Sequence, residues 1–249
     1  RKAVAMIAAM DEGLGRLRER IRELGQEQDT LVFLIGDNGA PLRPGAWDGS
    51  LNLPLVGEKG MLTDGGVRVP FVAAWPGTLP AGRVVDEPVS SLDVAATALV
   101  AAGGDLAAAR QPRSPGSDDL AALPLEGVDL VPVLSGRRTG ALHERLFWRW
   151  RSQVAVLEHP WKLVRLGRDT IYLFDVTTPE GERKNLAAEQ PALVATLTQS
   201  LDDWTATLAT PGPEQTLNAQ DADFFAHHVD QVPGAEPAKR PRRRTASAP

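Results

Sequence analysis

Asp37 and Asn38 stand side by side before Gly39, one residue (Gly36) beyond the apolar run at residues 31–35. A carboxylate next to an amide carbonyl offers two hard oxygen donors, which suit Ca²⁺ or Mg²⁺ and not a soft metal. The same residues also favour a turn, because Asx side chains bond back to the chain and Gly tolerates unusual backbone. On these residues alone both readings stand. Lys59 lies in Gly57-Glu58-Lys59-Gly60. Its compact ammonium suits a sulfate or phosphate oxygen and the flanking glycines allow close approach, while a solvated loop lysine is the bland alternative. Arg68 follows Gly65-Gly66-Val67. It can grip an anion through two parallel N–H donors or lock the loop onto carbonyls and a carboxylate, and the locking role is favoured. His143, His159 and the His227-His228 pair have no third metal ligand close in sequence. No nucleophile with its base, Gly-rich phosphate loop or zinc motif is apparent.

These residues need elements to hold them. Val4, Ile7, Met10, Leu14, Leu17, Ile21 and Leu24 step by three and four, which predicts one helical face closed by Gly25. Gly13 and Gly15 interrupt that helix ahead of its strand, so they are not a dinucleotide fingerprint. The unbroken apolar run 31–35 reads as a strand buried on both faces, central in a parallel sheet covered by helices. Asp37 and Asn38 then emerge at its carboxyl end, where open α/β sheets bind ligands. Residues 39–66 read as a long loop, of a length that is usually functional or disordered, whose segment 47–52 is expected to line the pocket. Residues 67–75 read as a strand that Pro70 marks as a strand start or an irregularity. Ser90 or Ser91 caps a helix through Ala102, and residues 105–124 read as a flexible excursion.

After Gly140, runs at 146–150, 154–157, 162–166 and 172–175 predict an antiparallel meander, and Leu193, Leu197, Leu201, Trp204 and Leu208 predict a helix. The expected organisation is an α/β core over residues 1–142, a small α+β antiparallel-sheet unit over 143–210, and a disordered tail over 211–249 whose basic run is solvated.

Composition narrows the function classes. Over 249 residues, 43% are hydrophobic and 24% charged, as in an ordinary globular protein. A formal charge of −5 gives no reason to expect nucleic acid as a partner. No apolar run approaches the roughly 18 residues of a membrane span. With no cysteine, disulfides and thiolate chemistry are absent from this sequence. Arg1 is not an initiator Met, and we expect the natural start to be missing.

Collinear segments resemble the sulfatase family of the alkaline-phosphatase-like superfamily. They are the stretch Ala9 to Gly15, Gly36-Asp37-Asn38-Gly39, Asn52-Leu53-Pro54-Leu55, and the long segment from Gly57 through Asp64-Gly65-Gly66-Val67-Arg68 to Pro70. Trp75-Pro76-Gly77, Ser91-Leu92-Asp93, Leu125 to Leu130, Trp161-Lys162-Leu163, Tyr172 to Asp175 and Glu182 to Ala187 continue the series. The resemblance implies a partial alkaline-phosphatase-like sandwich that corresponds to the carboxy-terminal portion of such an enzyme. It implies that Asp37 and Asn38 are calcium ligands, that Lys59 is catalytic and binds the sulfate, and that Arg68 contributes to substrate binding. It also implies a sulfuric ester hydrolase that uses Ca²⁺ and a formylglycine nucleophile, made from Cys or Ser in a C/S-x-P-x-R motif.

That motif is absent here, since Ser114-Pro115-Gly116 does not fit it. The family's other aspartate ligands and catalytic histidines fall ahead of the Asp-Asn-Gly strand, so the chain alone is expected to be inactive. Gly36 stands where many relatives have Ser, and Asp64 where Glu is commoner. A sulfated small molecule or carbohydrate is the expected partner, with no oligomeric state implied. Periplasmic or secreted location is the family default. The alternatives are a phosphodiesterase or phosphonate monoester hydrolase of the same superfamily, and a non-catalytic remnant or binding module.

Overall fold

The computed structural model of the chain describes residues 2–43, 45–47, 49–111, 124–209 and 219–230. Helix α1 (Lys2–Glu23) follows the apolar spacing. It ends in a Schellman arrangement: Gly25 at φ 69 donates to the Arg22 carbonyl, and Gln26 donates to that of Ile21. Arg20 and Arg22 in its last turn complement the helix dipole. The helix has no buried residue, and Val4, Met6, Ile7, Met10 and Leu17 are exposed.

Strand β1 (Val32–Ile35) pairs antiparallel with β2 (Phe71–Ala74), with Val32 opposite Ala74 and Ile35 opposite Phe71. This corrects the expectation of a central, doubly buried strand in a parallel sheet. Among the described residues β1 has one strand partner, and Leu34 is 42% exposed. A short apolar run carries no information about strand direction, and here the chain returns through a loop without a crossover helix. Phe33 and Phe71 meet edge to face at 5.9 Å and border a core of Leu130, Val133 and Leu142.

Helix α3 (Leu92–Ala101), which follows the single turn α2 (Asp64–Val67), starts in a reciprocal cap. The Leu92 amide donates to the Ser90 hydroxyl, and the Ser90 amide donates to the Asp93 carboxylate. Asp93 is fully buried. It also accepts from the Val128 amide at 2.9 Å and lies 2.9 Å from His143 Nε2. The segment 125–130 is thereby tied to the helix start and leads into α5 (Val131–Leu134). Part of the expected excursion at 105–124 is instead helix α4 (Leu106–Ala109). Asp105 caps it by accepting from the amides of Ala107 and Ala108, ahead of good helix formers. Residues 112–123 lie outside the described residues.

The meander forms as expected from β3 (Leu146–Trp150), β4 (Gln153–Glu158), β5 (Trp161–Leu166) and β6 (Thr170–Asp175), each antiparallel to the next. Alternation gives the sheet two apolar faces. One carries Val154, Val156, Leu163 and Leu173 and is covered by Leu197 and Leu201 of α6 (Pro191–Thr207), with Trp204 stacked on Phe147 at 5.1 Å. The other carries Ala155, Val164, Leu166, Tyr172 and Phe174 and packs on Met61 and Leu62 of the long loop.

That second face is completed by α7 (Ala219–His228), whose Phe224 and Phe225 are buried in it. Over these residues the expected disordered tail is corrected. The Pro, Ala and Gly surroundings suggest solvation, but two adjacent Phe on a helix have apolar surface that the sheet can cover. The rest of the tail, 210–218 and 231–249, lies outside the described residues. Among the described residues no helix is long and apolar enough to cross a membrane.

Candidate functional site

The Asp-Asn-Gly turn is fastened to the glycine-rich loop by backbone contact. The Gly39 amide donates to the Gly66 carbonyl at 2.9 Å, and a Cβ on Gly39 would stand 1.7 Å from the Gly65 oxygen. Only glycine lets the strand end lie this close to α2. Asn52 completes the clip. Its Oδ1 accepts from the Ala40 amide at 3.0 Å, and its Nδ2 donates to the carbonyls of Ala40 and Gly57 at 3.0 and 2.9 Å. The Lys59 amide donates to the Ala40 carbonyl at 3.2 Å. Two segments about twenty residues apart therefore run side by side by construction.

Asp37, Asn38, Lys59 and Arg68 all line one cleft of about 1360 Å³. Trp148, Trp150 and Arg151 of the meander and Gln220 of α7 form another part of its wall. Asp37 and Lys59 are exposed and Asn38 is half-buried. The Lys59 ammonium has no ion-pair or hydrogen-bond partner among the described residues, so its charge is available to the cleft. Arg68 is mostly exposed and reaches Asp64 at 3.6 Å.

Behind the loop lies a buried triad that sequence reading missed. The Lys162 side chain is 1% exposed, and its Nζ sits 2.6 Å from Asp64 Oδ1 and 2.9 Å from Glu182 Oε1. The Asp64 amide also donates to Glu182 Oε2 at 2.7 Å. Burial raises the Glu182 carboxyl to about 6, with the Asp64 charge adding to that and Lys162 opposing it. Burial also works to raise Asp64, but Lys162, with help from Arg68, brings it below its ordinary value. Burial works to lower Lys162, yet Glu182 and Asp64 hold it above its ordinary value. The triad anchors α2 to β5. A signal did exist, since strand alternation puts Lys162 on the same face as Val164 and Leu166.

A second anchor holds Glu58 beside Lys59. Buried Glu58 accepts from the Leu42 amide at 2.8 Å, lies 3.1 Å from His228 Nε2 of α7, and reaches Arg43 at 3.7 Å. Burial, joined by neighbouring His227 and Arg43, lowers the His228 pKa against the pull of Glu58. The Arg43 guanidinium stands 3.5 Å over the Phe224 ring. His228 thus serves a carboxylate, and His143 serves Asp93.

The expectation that residues 47–52 line the cleft is corrected over the described residues 47 and 49–52, which are not part of its wall. Trp47 turns outward, donating from its indole to the Ser50 carbonyl, and Asn52 acts as the clip. Among the described residues no three acidic, His or Cys side chains converge as a metal cage. Asp37 and Asn38 supply two hard oxygens of the type Ca²⁺ takes, a minority of the roughly six to eight that it needs.

The chain is similar to known proteins. Residues 1–104 match the model of the Sulfatase family. The chain is 30% identical to mouse steryl-sulfatase over 92% of its own length and 38% of that protein. It is 33% identical to human arylsulfatase D over 57% of its length and 22% of that protein. The structure of Ps i-CgsB in complex with k-i-k-neocarrahexaose superposes with a TM-score of 0.65 at 23% identity, covering 89% of this chain and 46% of that one. The fold is thus that of the alkaline-phosphatase-like sulfatases. The chain spans less than half the length of each of these relatives.

Proposed function

The chain belongs to the sulfatase family, and on that premise we propose that it supplies one wall of a sulfuric ester hydrolase site, R–OSO₃⁻ + H₂O giving R–OH, sulfate and a proton. The carrying observation is that Asp37, Asn38, Lys59 and Arg68 all line one cleft. In this reading Asp37 and Asn38 hold Ca²⁺, and Lys59 neutralises charge on the sulfuryl oxygens as the ester bond breaks. Arg68 offers parallel N–H donors to the same anion, because its carboxylate neighbour Asp64 is engaged more closely by Lys162. Bound calcium would supply Lewis-acid polarisation of the sulfate, and a formylglycine elsewhere in the intact protein would supply the nucleophile.

This chain's own part is positional. Asn52 and the Ala40 carbonyl fix the Lys59 backbone, and the Lys162 triad fixes α2, so the cations need little reorganisation when an anion enters. In the intact protein, Asp37→Ala is expected to abolish sulfate-ester hydrolysis and to release calcium. Lys59→Ala is expected to impair turnover with calcium retained, since its charge acts on the sulfate. Matched sulfate and phosphate esters separate this activity from a phosphodiesterase. Wild-type activity and calcium content in Asp37→Ala would show the assignment to be wrong.

A further inference from the structure

At the β3–β4 turn the sequence reads Trp148-Arg149-Trp150-Arg151-Ser152-Gln153. Trp150 pairs with Gln153, so Arg151 and Ser152 form a two-residue hairpin turn. Such turns need left-handed backbone and normally use Asn, Asp or Gly. Here Arg151 adopts φ 52, and among the described residues it is the one non-glycine with positive φ. A long cation is therefore kept in a conformation that costs it energy, at a point where it lines the cleft.

The ring beside it is just as unusual. Trp150 is 48% exposed, and its indole Nε1 lies 3.9 Å from where a Cβ on Gly60 would stand. It is thus immediate neighbour to the Lys59 loop. The Arg151 guanidinium sits 5.4 Å from the Trp150 ring centre. The turn is rigid on both sides. The Gln153 side chain donates to the Gly60 carbonyl at 2.8 Å and accepts from the Leu62 amide at 3.0 Å. The Ser152 hydroxyl donates to buried Asp221 of α7 at 2.6 Å.

Charge sorts along the cleft. The acids near this corner are already engaged, Glu58 by His228 and Arg43 and Asp64 by Lys162. Neither Lys59 nor Arg151 has a carboxylate partner among the described residues. Asp86 and Glu87 line the same cleft, where it adjoins a smaller pocket that also includes His143 and His159. The corner therefore offers a half-exposed indole and two cations without a carboxylate partner among the described residues, one of them held over that indole.

We infer that Trp150, Arg151 and the Lys59–Gly60 edge form a sugar subsite that takes a pyranose ring bearing a second anionic group, next to the sulfate ester under attack. This rests on the reading of Lys59 as the sulfate-binding cation. The C–H face of the sugar lies on the indole, and the second anion meets Arg151. A flat aryl or steroid ester would leave the Arg151 charge unused.

The test measures kcat/KM of the intact protein on p-nitrophenyl sulfate and on two hexasaccharides. One is a carrageenan, in which every anionic group is sulfate. The other is a chondroitin sulfate, which adds carboxylates. Trp150→Ala and Arg151→Gly are compared with the parent. Glycine relieves the left-handed backbone, so the second variant keeps the turn. Each variant is expected to lower kcat/KM on the preferred hexasaccharide about five- to tenfold more than on the aryl ester, a factor in keeping with loss of one ring stack or one exposed charge contact. The Arg151→Gly loss is expected to shrink at high salt. Whichever hexasaccharide shows the larger differential identifies the second anion. Equal losses on all three substrates, or no preference of the parent for either hexasaccharide, overturn the subsite. Lys59→Ala is the separate control. If it spares all three substrates, the sulfatase reading falls as well. If it impairs all three while Trp150 and Arg151 do not discriminate, the subsite alone falls.

Discussion

Replacing Lys162 by Met removes the one cation from between two carboxylates while nearly preserving its volume. Its side chain is 1% exposed and its Nζ lies 2.6 and 2.9 Å from Asp64 and Glu182, whose side chains are 17% and 3% exposed. Water cannot take over that solvation, so the loss should follow the pattern of a broken buried ion pair, about 3–5 kcal/mol. With a urea slope of about 2 kcal/mol per molar, the unfolding midpoint should fall by about 2 M. Adding Glu182→Gln to Lys162→Met should recover part of this, because it removes one stranded charge.

The pH dependence carries a sign. Glu182 is raised from 4.5 to about 6, so the fold disfavours its ionised form, and stability falls by about 2 kcal/mol as pH climbs from about 4.5 through about 6. Asp64, lowered from 3.8, contributes stability that is present above that value and lost as pH falls through the folded pKa. Lys162, raised from 10.5, contributes stability that is full below that value and lost as pH rises through the folded pKa. Urea unfolding of wild type and Glu182→Gln across pH 4 to 8 isolates the Glu182 part as a difference. A Lys162→Met loss below about 1 kcal/mol, or a flat difference curve, would refute the reasoning.

Phe225→Ala should cost about 3–5 kcal/mol in urea unfolding, since the ring is fully buried between α7 and the meander. Gly39→Ala forces a Cβ to 1.7 Å from the Gly65 oxygen, so it should cost more than about 2 kcal/mol and speed amide exchange at Gly39. Asp93→Ala strands the Ser90 and Val128 amides and His143. A loss of about 3 kcal/mol is expected, with faster exchange at the Val128 amide.

The sequence made the meander and helices α1, α3 and α6 legible because alternation and three-four spacing are local properties. Direction was not legible, since residues 31–35 read equally well as a parallel or an antiparallel strand, and Phe71 decides the matter from thirty-six residues away. Helix α7 was hidden by its neighbours in sequence, although Phe224-Phe225 is an apolar pair that solvent does not favour. At the cleft, Asp37, Asn38, Lys59 and Arg68 stood out as chemical types in glycine-rich surroundings. The residues that hold them there did not, because Lys162, Glu182 and His228 reach the loop across more than ninety positions. Trp150 and Arg151 read only as strand and turn, since exposure and a left-handed φ appear only once the chain has folded.

That separation along the chain has a kinetic consequence. The four strands of the meander follow one another in sequence, so each pairing closes only a short loop, and the sheet can form early from local contacts. The contacts that shape the cleft join Leu62 to Gln153, Asp64 to Lys162 and Glu182, and Glu58 to His228, spans of 91, 98, 118 and 170 residues. Each must close a long loop before it returns any stabilisation. The contacts that shape the cleft are therefore expected to form after the sheet, and Glu58 gains His228 only when α7, late in the chain, has docked.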